Sequence, residues 1–173
     1  MSRAPATIPS SGGTYALLFD CPKTVCRAVG RLGRVHVASG YWVYVGSAFG
    51  PGGLSSRLSH HLTPAQRPHW HLDYIKDALR PLEAWYTTDP MPREHAWAAL
   101  LADARGASRP LTGFGSSDCR CHAHLIHMNR RPGFAGFSKR VHGRLAHHGR
   151  LFRARLSSVA GQAPKRVVPS PSS

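Results

Sequence analysis

Acidic residues are scarce in this 173-residue chain: 8 Asp and Glu stand against 23 Lys and Arg, a formal net charge of +15. Only Glu83 and Glu94 are glutamates, and no acid lies beyond Asp118. So few carboxylates leave little choice for a group that must hold a hard cation. No stretch approaches the ~18 uninterrupted apolar residues of a membrane span. The N-terminus, MSRAPATIPSSGG, has no apolar core segment and does not read as a secretory signal. Cysteine occurs only at Cys21, Cys26, Cys119 and Cys121. Without a secretory signal, four cysteines do not suggest a disulfide framework. No segment repeats another. These absences leave a cytoplasmic protein of one domain, with no membrane span, as the expectation.

The positive charge is unevenly placed. Residues 1–118 hold 12 basic residues and all 8 acids, whereas residues 119–173 hold 11 basic residues and no acid. A stretch of one sign favours phosphate backbones, because binding releases condensed counterions. Nucleic acid is therefore the expected partner. Hydrophobic residues make up 42% of the chain, which suffices for a modest core.

Residues 1–11 read as a disordered leader of small residues, proline and serine. Tyr15–Phe19 reads as a first strand behind a glycine pair. Val35–Val37 reads as a short strand pairing with the next. Tyr41–Val45, aromatic and β-branched, is the clearest strand in the chain. Gly50-Pro51-Gly52-Gly53 then opens a helix with Leu54, Leu58 and Leu62 on one stripe and Arg57 and His61 one turn apart beside it. A second helix is expected over His69–Leu79, a strand over Leu82–Thr88, and a third helix over Pro92–Asp103 with proline in its first turn. Ala123–Met128 closes the pattern as a short strand. Beyond it lie glycine, proline, serine and arginine, with one stretch, Phe137–Leu156, that has the makings of a basic helix weakened by Gly143 and Gly149.

Gly13-Thr14-Tyr15, Tyr44-Val45-Gly46, the helix element Arg57-x-x-x-His61 and the later Glu94 occur in an order that resembles the GIY-YIG nuclease superfamily. The longer runs GYWVYVGSAFGPGGLSSRLSHHL, HWHLDY and GFGSSDCRCHAHL are similar to one branch of it. The resemblance covers residues 12–128 and leaves 129–173 as a basic, mostly disordered tail. It implies an α+β fold, a small three-stranded mixed or antiparallel sheet flanked by helices. The implied activity is that of a metal-dependent endonuclease hydrolysing phosphodiester bonds, in repair or processing of DNA. Three departures stand out: threonine in the middle of the first motif, the long tract between the motifs, and the loose match of Asn129 to an asparagine that many active members carry.

Hydrolysing a phosphodiester requires an activated water, neutralised phosphoryl oxygens and a stabilised leaving group. Glu94 is the candidate ligand for Mg²⁺ or Mn²⁺, since carboxylate oxygen suits a hard cation that keeps most of its waters. Tyr15 is the candidate general base, a role that needs help from nearby positive charge or hydrogen bonding because free tyrosine titrates near ~10. Tyr44 would position the water. Arg57 is placed to hold the scissile phosphate by paired hydrogen bonds. His61 is a candidate proton carrier, and His60 points elsewhere on a regular helix. His69, His71 and Lys76 are candidate substrate contacts.

Two other readings compete. One is a nucleic-acid-binding module without activity on the same fold. The other is a small zinc protein organised by Cys119, Cys121 and the histidines after them, although the one-residue spacing is tighter than that of usual zinc knuckles. Cys21 and Cys26, with no close histidine, are expected to be structural.

Overall fold

The structure, a computed structural model, describes residues 7–116 and 123–156. Its centre is β1 (Thr14–Cys21), a run so apolar that seven of its eight residues are buried. A continuous apolar strand needs cover on both faces. On either side of it lie β4 (Gly40–Ser47) and β5 (Arg80–Thr87), both antiparallel to it. The sheet extends outward through β7 (Leu125–Met128) and β6 (Ala107–Ser108) on one side and β8 (Leu151–Arg155) on the other, in the order β6-β7-β4-β1-β5-β8. Every neighbouring pair is antiparallel. A separate hairpin pairs β2 (Val25–Ala28) with β3 (Arg34–Val37).

Alternation along the strands divides the core in two. Tyr15, Leu17, Tyr44 and Tyr86 face one side, where α1 (Gly53–Leu62) lays down Leu54 and Leu58. Ala16, Leu18, Val43 and Trp85 face the other, against α2 (Glu94–Ala102) and α3 (Phe134–Arg144). The α+β class with helices flanking an antiparallel sheet is thus as expected from the sequence.

The sheet is larger than the expected three strands, and the domain does not end at Met128. Phe134, Phe137 and Val141 form a stripe on α3 that packs against Trp85 and Trp97. Gly136 and Gly143, together with the basic residues between them, disguise that stripe in the sequence. β8 then pairs with β5 from Leu151 opposite Thr87 to Arg155 opposite Glu83. Arg131 closes the seam with an ion pair to Glu83 at 3.0 Å. A helix over Phe137–Leu156 is therefore replaced by a shorter helix and a strand.

Three local expectations also change. Residues 9–11 of the expected leader are held against the helix: the amides of Leu54 and Ser55, in the first turn of α1, donate to the carbonyls of Ser11 and Pro9. Those first-turn amides have no partner within a helix, so the passing chain satisfies them. A Cβ on Gly53 would strike the Ser10 carbonyl, and the residue is left-handed with φ 55°. Next, β3 pairs with β2, while β4 takes β1 as its partner. Finally, His69–Leu79 forms two 3-10 turns, His71–Tyr74 and Lys76–Ala78. The Asp73 carboxylate binds the amides of His69 and Trp70. That local capture competes with a regular helix.

Candidate active site

The two tyrosine motifs meet through one glycine. In the β1–β4 register Tyr15 lies opposite Gly46 and Leu17 opposite Tyr44, so both tyrosines emerge on the α1 face. A Cβ on Gly46 would collide with the Tyr15 ring and hydroxyl. The glycine of the second motif thus makes room for the tyrosine of the first. Gly13 has the same kind of role, since a Cβ there would strike the Thr87 carbonyl on β5.

His61 completes the group. Its side chain leaves α1 one turn after Arg57, beside Leu58, and is 2% exposed. Its Nε2 lies 2.8 Å from the Tyr15 hydroxyl. Its ring centre is 5.7 Å from that of Tyr15 and 5.4 Å from that of Tyr44. Nδ1 is buried without a hydrogen-bond partner.

Arg57 is held by an aromatic plate. Its guanidinium carbon sits 4.4 Å from the centre of the Trp70 ring, a cation–π contact. Trp70 is fixed in turn by Asp73, which gathers the His69 and Trp70 amides, His60 Nε2 at 3.2 Å and Lys76 Nζ at 2.9 Å. The Lys76 ammonium also donates to the His60 carbonyl. Lys76 is therefore a brace beneath the site, which corrects its assignment as a substrate contact. His69 meets Asp73 through its amide, and its exposed ring stands edge-on to Trp70 at the rim.

Glu94 opens α2 and reaches the same space. Its Oε2 is buried and has no hydrogen-bond partner. Glu83, the other glutamate, is on the opposite face and already satisfied by Trp85, Arg131 and Arg153. The start of α2 is pinned at two anchors, Thr14 and Asp89, that no local pattern announces. The Arg93 amide donates to the Thr14 hydroxyl at 3.1 Å. Asp89 binds the Arg93 guanidinium and the amides of Met91 and Gly149. The middle residue of the Gly-Thr-Tyr motif is thus a tether for the glutamate-bearing helix.

These groups line one cavity of about 520 Å³. Tyr15, Tyr44, Arg57, His61 and Glu94 all reach it, and His69 and His71 do so from the side. His71 Nδ1 accepts from the Gly115 amide at 2.9 Å, which leaves the proton of the neutral ring on Nε2. His95 and His124 also line the cavity, with rings 5.3 Å apart. His124 belongs to the run GFGSSDCRCHAHL and His95 to no motif, but neither was expected at the cavity, and only the folded chain brings them there. Asn129 is exposed in the turn after β7, away from the cavity.

Burial dominates the electrostatics. It raises the Tyr15 phenol well above the usual tyrosine range; Tyr44 adds to the rise and Arg57 opposes it. The expected help from positive charge is present but outweighed. Burial and then His60 push His61 down to about 3, so this imidazole is neutral at pH 7. Burial also lowers His71. Asp73 moves the other way from what burial alone would do: the His69 and Trp70 amides and Lys76 hold it ionised, well below the usual carboxylate range.

His60, His61 and Asp73 present ligand atoms within 4.8 Å of one another. Asp73 is already saturated by a lysine, a histidine and two amides, so this group reads as a brace. Glu94 differs, with a buried oxygen free of protein partners and a cavity with room for water. That donor suits a hard divalent cation. Cys119, Cys121 and Asp118 lie outside the described residues. Cys21 is buried, with its thiol directed at the Lys23 carbonyl, as expected of a structural cysteine. Among the described residues, no helix is long and apolar enough to cross a membrane.

No curated protein and no solved structure matches the chain significantly. A family model described as a domain of unknown function, DUF123, matches residues 14–151, a span that runs from the first residue of β1 to the first of β8 and takes in every cavity residue described above. The chain belongs to the DUF123 family.

Proposed function

We propose that this protein is a metal-dependent phosphodiesterase that cleaves nucleic acid, with DNA as the substrate, built on a GIY-YIG-like site. The observation that carries the reading is the buried, unpartnered Glu94 Oε2 in a cavity shared with Arg57 and the Tyr15–His61 pair. A structural carboxylate acquires partners, as Glu83 has. Glu94 keeps Oε2 bare in a polar cavity, with Oε1 3.8 Å from His95 Nε2, and that bare oxygen is a ligand in waiting.

Glu94 would hold Mg²⁺ or Mn²⁺, which supplies charge neutralisation on the phosphoryl oxygens. Arg57, paired with no carboxylate among the described residues and flattened on Trp70, is placed to take a non-bridging oxygen through two N–H donors. His71 offers a fixed N–H to a second oxygen. Water attacks phosphorus as the P–O bond to the leaving group breaks. Its proton passes to the Tyr15 hydroxyl as the tyrosine proton passes to His61 Nε2, and His61, which holds a proton only transiently, gives it up through solvent to the departing oxygen, which leaves as a hydroxyl. A neutral His61 is what this relay requires, because a protonated imidazole could not accept. A tyrosine with a raised pKa serves here as a conduit and need not form tyrosinate in the resting protein.

The test is cleavage of linear and branched DNAs with Mg²⁺ or Mn²⁺ and with chelator. Metal-dependent cleavage lost in Glu94→Gln and in Arg57→Ala, with circular dichroism unchanged, is the expected result. Cleavage that persists in Glu94→Gln would overturn the ligand assignment.

A further inference from the structure

Phe49 and Met91 are the two large apolar side chains that stand exposed among the described residues, 44% and 58%. Isolated exposed hydrophobics are ordinary; the placement of these two is not. Phe49 lies in the loop from β4 to α1, two residues after the cavity residue Ser47. Met91 lies in the loop from β5 to α2, three residues before Glu94. Both loops fasten to the same short segment at the start of β1. The Ala48 amide donates to the Gly13 carbonyl at 2.8 Å, and the Arg93 amide to the Thr14 hydroxyl. The two side chains therefore belong to loops that flank the strand end from which Tyr15 enters the cavity.

The Phe49 ring is also seated. A Cβ on Gly12 would lie 3.0 Å from its Cδ1, so the absence of a side chain at 12 lets one edge of the ring rest there while much of it meets water. The cavity, whose lining reaches Ser47 two residues before Phe49, is recessed: Tyr15 is 2% and Tyr44 6% exposed. A backbone phosphate reaches such a recess more readily from a strand that can leave its partner. Trp70 and the exposed His69 ring stand on the Arg57 side of the same cavity. Aromatic faces around a cationic phosphate site are how proteins hold single-stranded nucleic acid, by stacking bases while basic groups follow the backbone.

We infer that Phe49 is a base-stacking residue and that the site takes nucleic acid with unpaired bases beside the scissile phosphate in preference to continuous duplex. Met91 supports the displaced base from the Glu94 side. The inference rests on the reading of the cavity as a phosphodiesterase site, and binding separates the two.

The experiment measures fluorescence anisotropy of the full chain, without divalent metal, on a single-stranded oligonucleotide, a duplex with an unpaired arm and a fully paired duplex. Phe49→Ala should weaken binding to the first two by about tenfold or more, the range of one lost stacking contact, and leave paired duplex nearly unchanged. Phe49→Tyr should restore wild-type affinity, and Phe49→Leu, apolar but without a ring, should not. Equal losses on all three DNAs, or no loss on the unpaired ones, overturn the inference. Phe49-dependent binding without cleavage in Mn²⁺ would leave stacking intact and remove the proposed chemistry. Cleavage with binding indifferent to Phe49 would do the reverse.

Discussion

The neutral, buried His61 should make the protein acid-labile in a way that can be assigned to this residue. In the unfolded chain a histidine titrates near ~6.5; in the folded protein His61 titrates at about 3. Below pH 6.5 the unfolded state therefore binds the proton that the folded state refuses, and stability falls with pH. Above pH 6.5 both states are neutral and the residue adds no pH dependence. At 1.36 kcal/mol per pKa unit, lowering pH from 7 to 5 costs ~2 kcal/mol, and lowering it to 3 costs ~4 kcal/mol. Against a total of ~5–15 kcal/mol for a domain, that is a large share.

Urea unfolding at pH 7 and pH 5 reads this directly. With a slope of ~2 kcal/mol per molar, ~2 kcal/mol is a shift of ~1 M in the midpoint. His71 and His148 are also lowered by burial and contribute to the slope. The comparison with His61→Leu isolates the residue of interest. That variant leaves the Tyr15 hydroxyl without its partner, a cost nearly independent of pH. It should therefore be less stable at pH 7 yet lose ~2 kcal/mol less than wild type on going to pH 5. The same pH dependence in both proteins would refute the claim that His61 is held neutral by its surroundings, and with it the proton relay.

Glu94→Gln should lose cleavage by at least ~10² while retaining DNA affinity, measured by gel assay and anisotropy side by side. Thr14→Ala should reduce turnover and raise the Mn²⁺ concentration needed for half-maximal rate, because the Arg93 amide loses its acceptor; Thr14→Ser should rescue both. Gly46→Ala should cost ~1–3 kcal/mol by denaturation and abolish cleavage, since its methyl group takes the space of the Tyr15 ring. Deleting residues 131–173 should give a chain that fails to fold by circular dichroism, because Trp85 and Trp97 lose α3 and β5 loses β8.

How far the sequence shows the site depends on whether a contact is written in neighbouring positions. Arg57 and His61 are one helical turn apart and were legible for that reason. The two tyrosines sit in strands whose apolar runs are plain, and their approach across Gly46 follows from strand pairing. The tether from Thr14 to Arg93 spans 79 positions, and no local pattern announces it. The same holds for His124, whose buried ring lies beside His95 only once β7 has joined β4. α3 and β8 were hidden for a different cause. Their apolar positions are few and set among glycine and arginine, and they become a core stripe only against the tryptophans of β5 and α2. Lys76 was misread because charge in the sequence suggests a surface role, whereas in the fold its ammonium neutralises a buried aspartate.

The distribution of acids carries the argument one step further. In a chain of net charge +15, a buried carboxylate has no shortage of cations to pair with. Asp73 has Lys76 and His60, Asp89 has Arg93, and Glu83 has Arg131. Each of these pairs holds a structural joint: the turns under Trp70, the entry to α2, the seam between β5 and the α3 approach. Glu94 is the one carboxylate lining the cavity among the described residues, and no arginine or lysine there neutralises it. Arg57 lines the same cavity but is drawn onto the Trp70 ring. Keeping the two apart preserves a negative oxygen for a cation and a positive fork for a phosphate. Had they paired, each would cancel the other's use. The aromatic plate that holds Arg57 is therefore as necessary to the proposed chemistry as either charge. Trp70→Ala should let Arg57 swing toward Glu94 and suppress metal-dependent cleavage, with Mn²⁺ affinity falling as well. Unchanged Mn²⁺ affinity in Trp70→Ala would show that the separation does not depend on the ring.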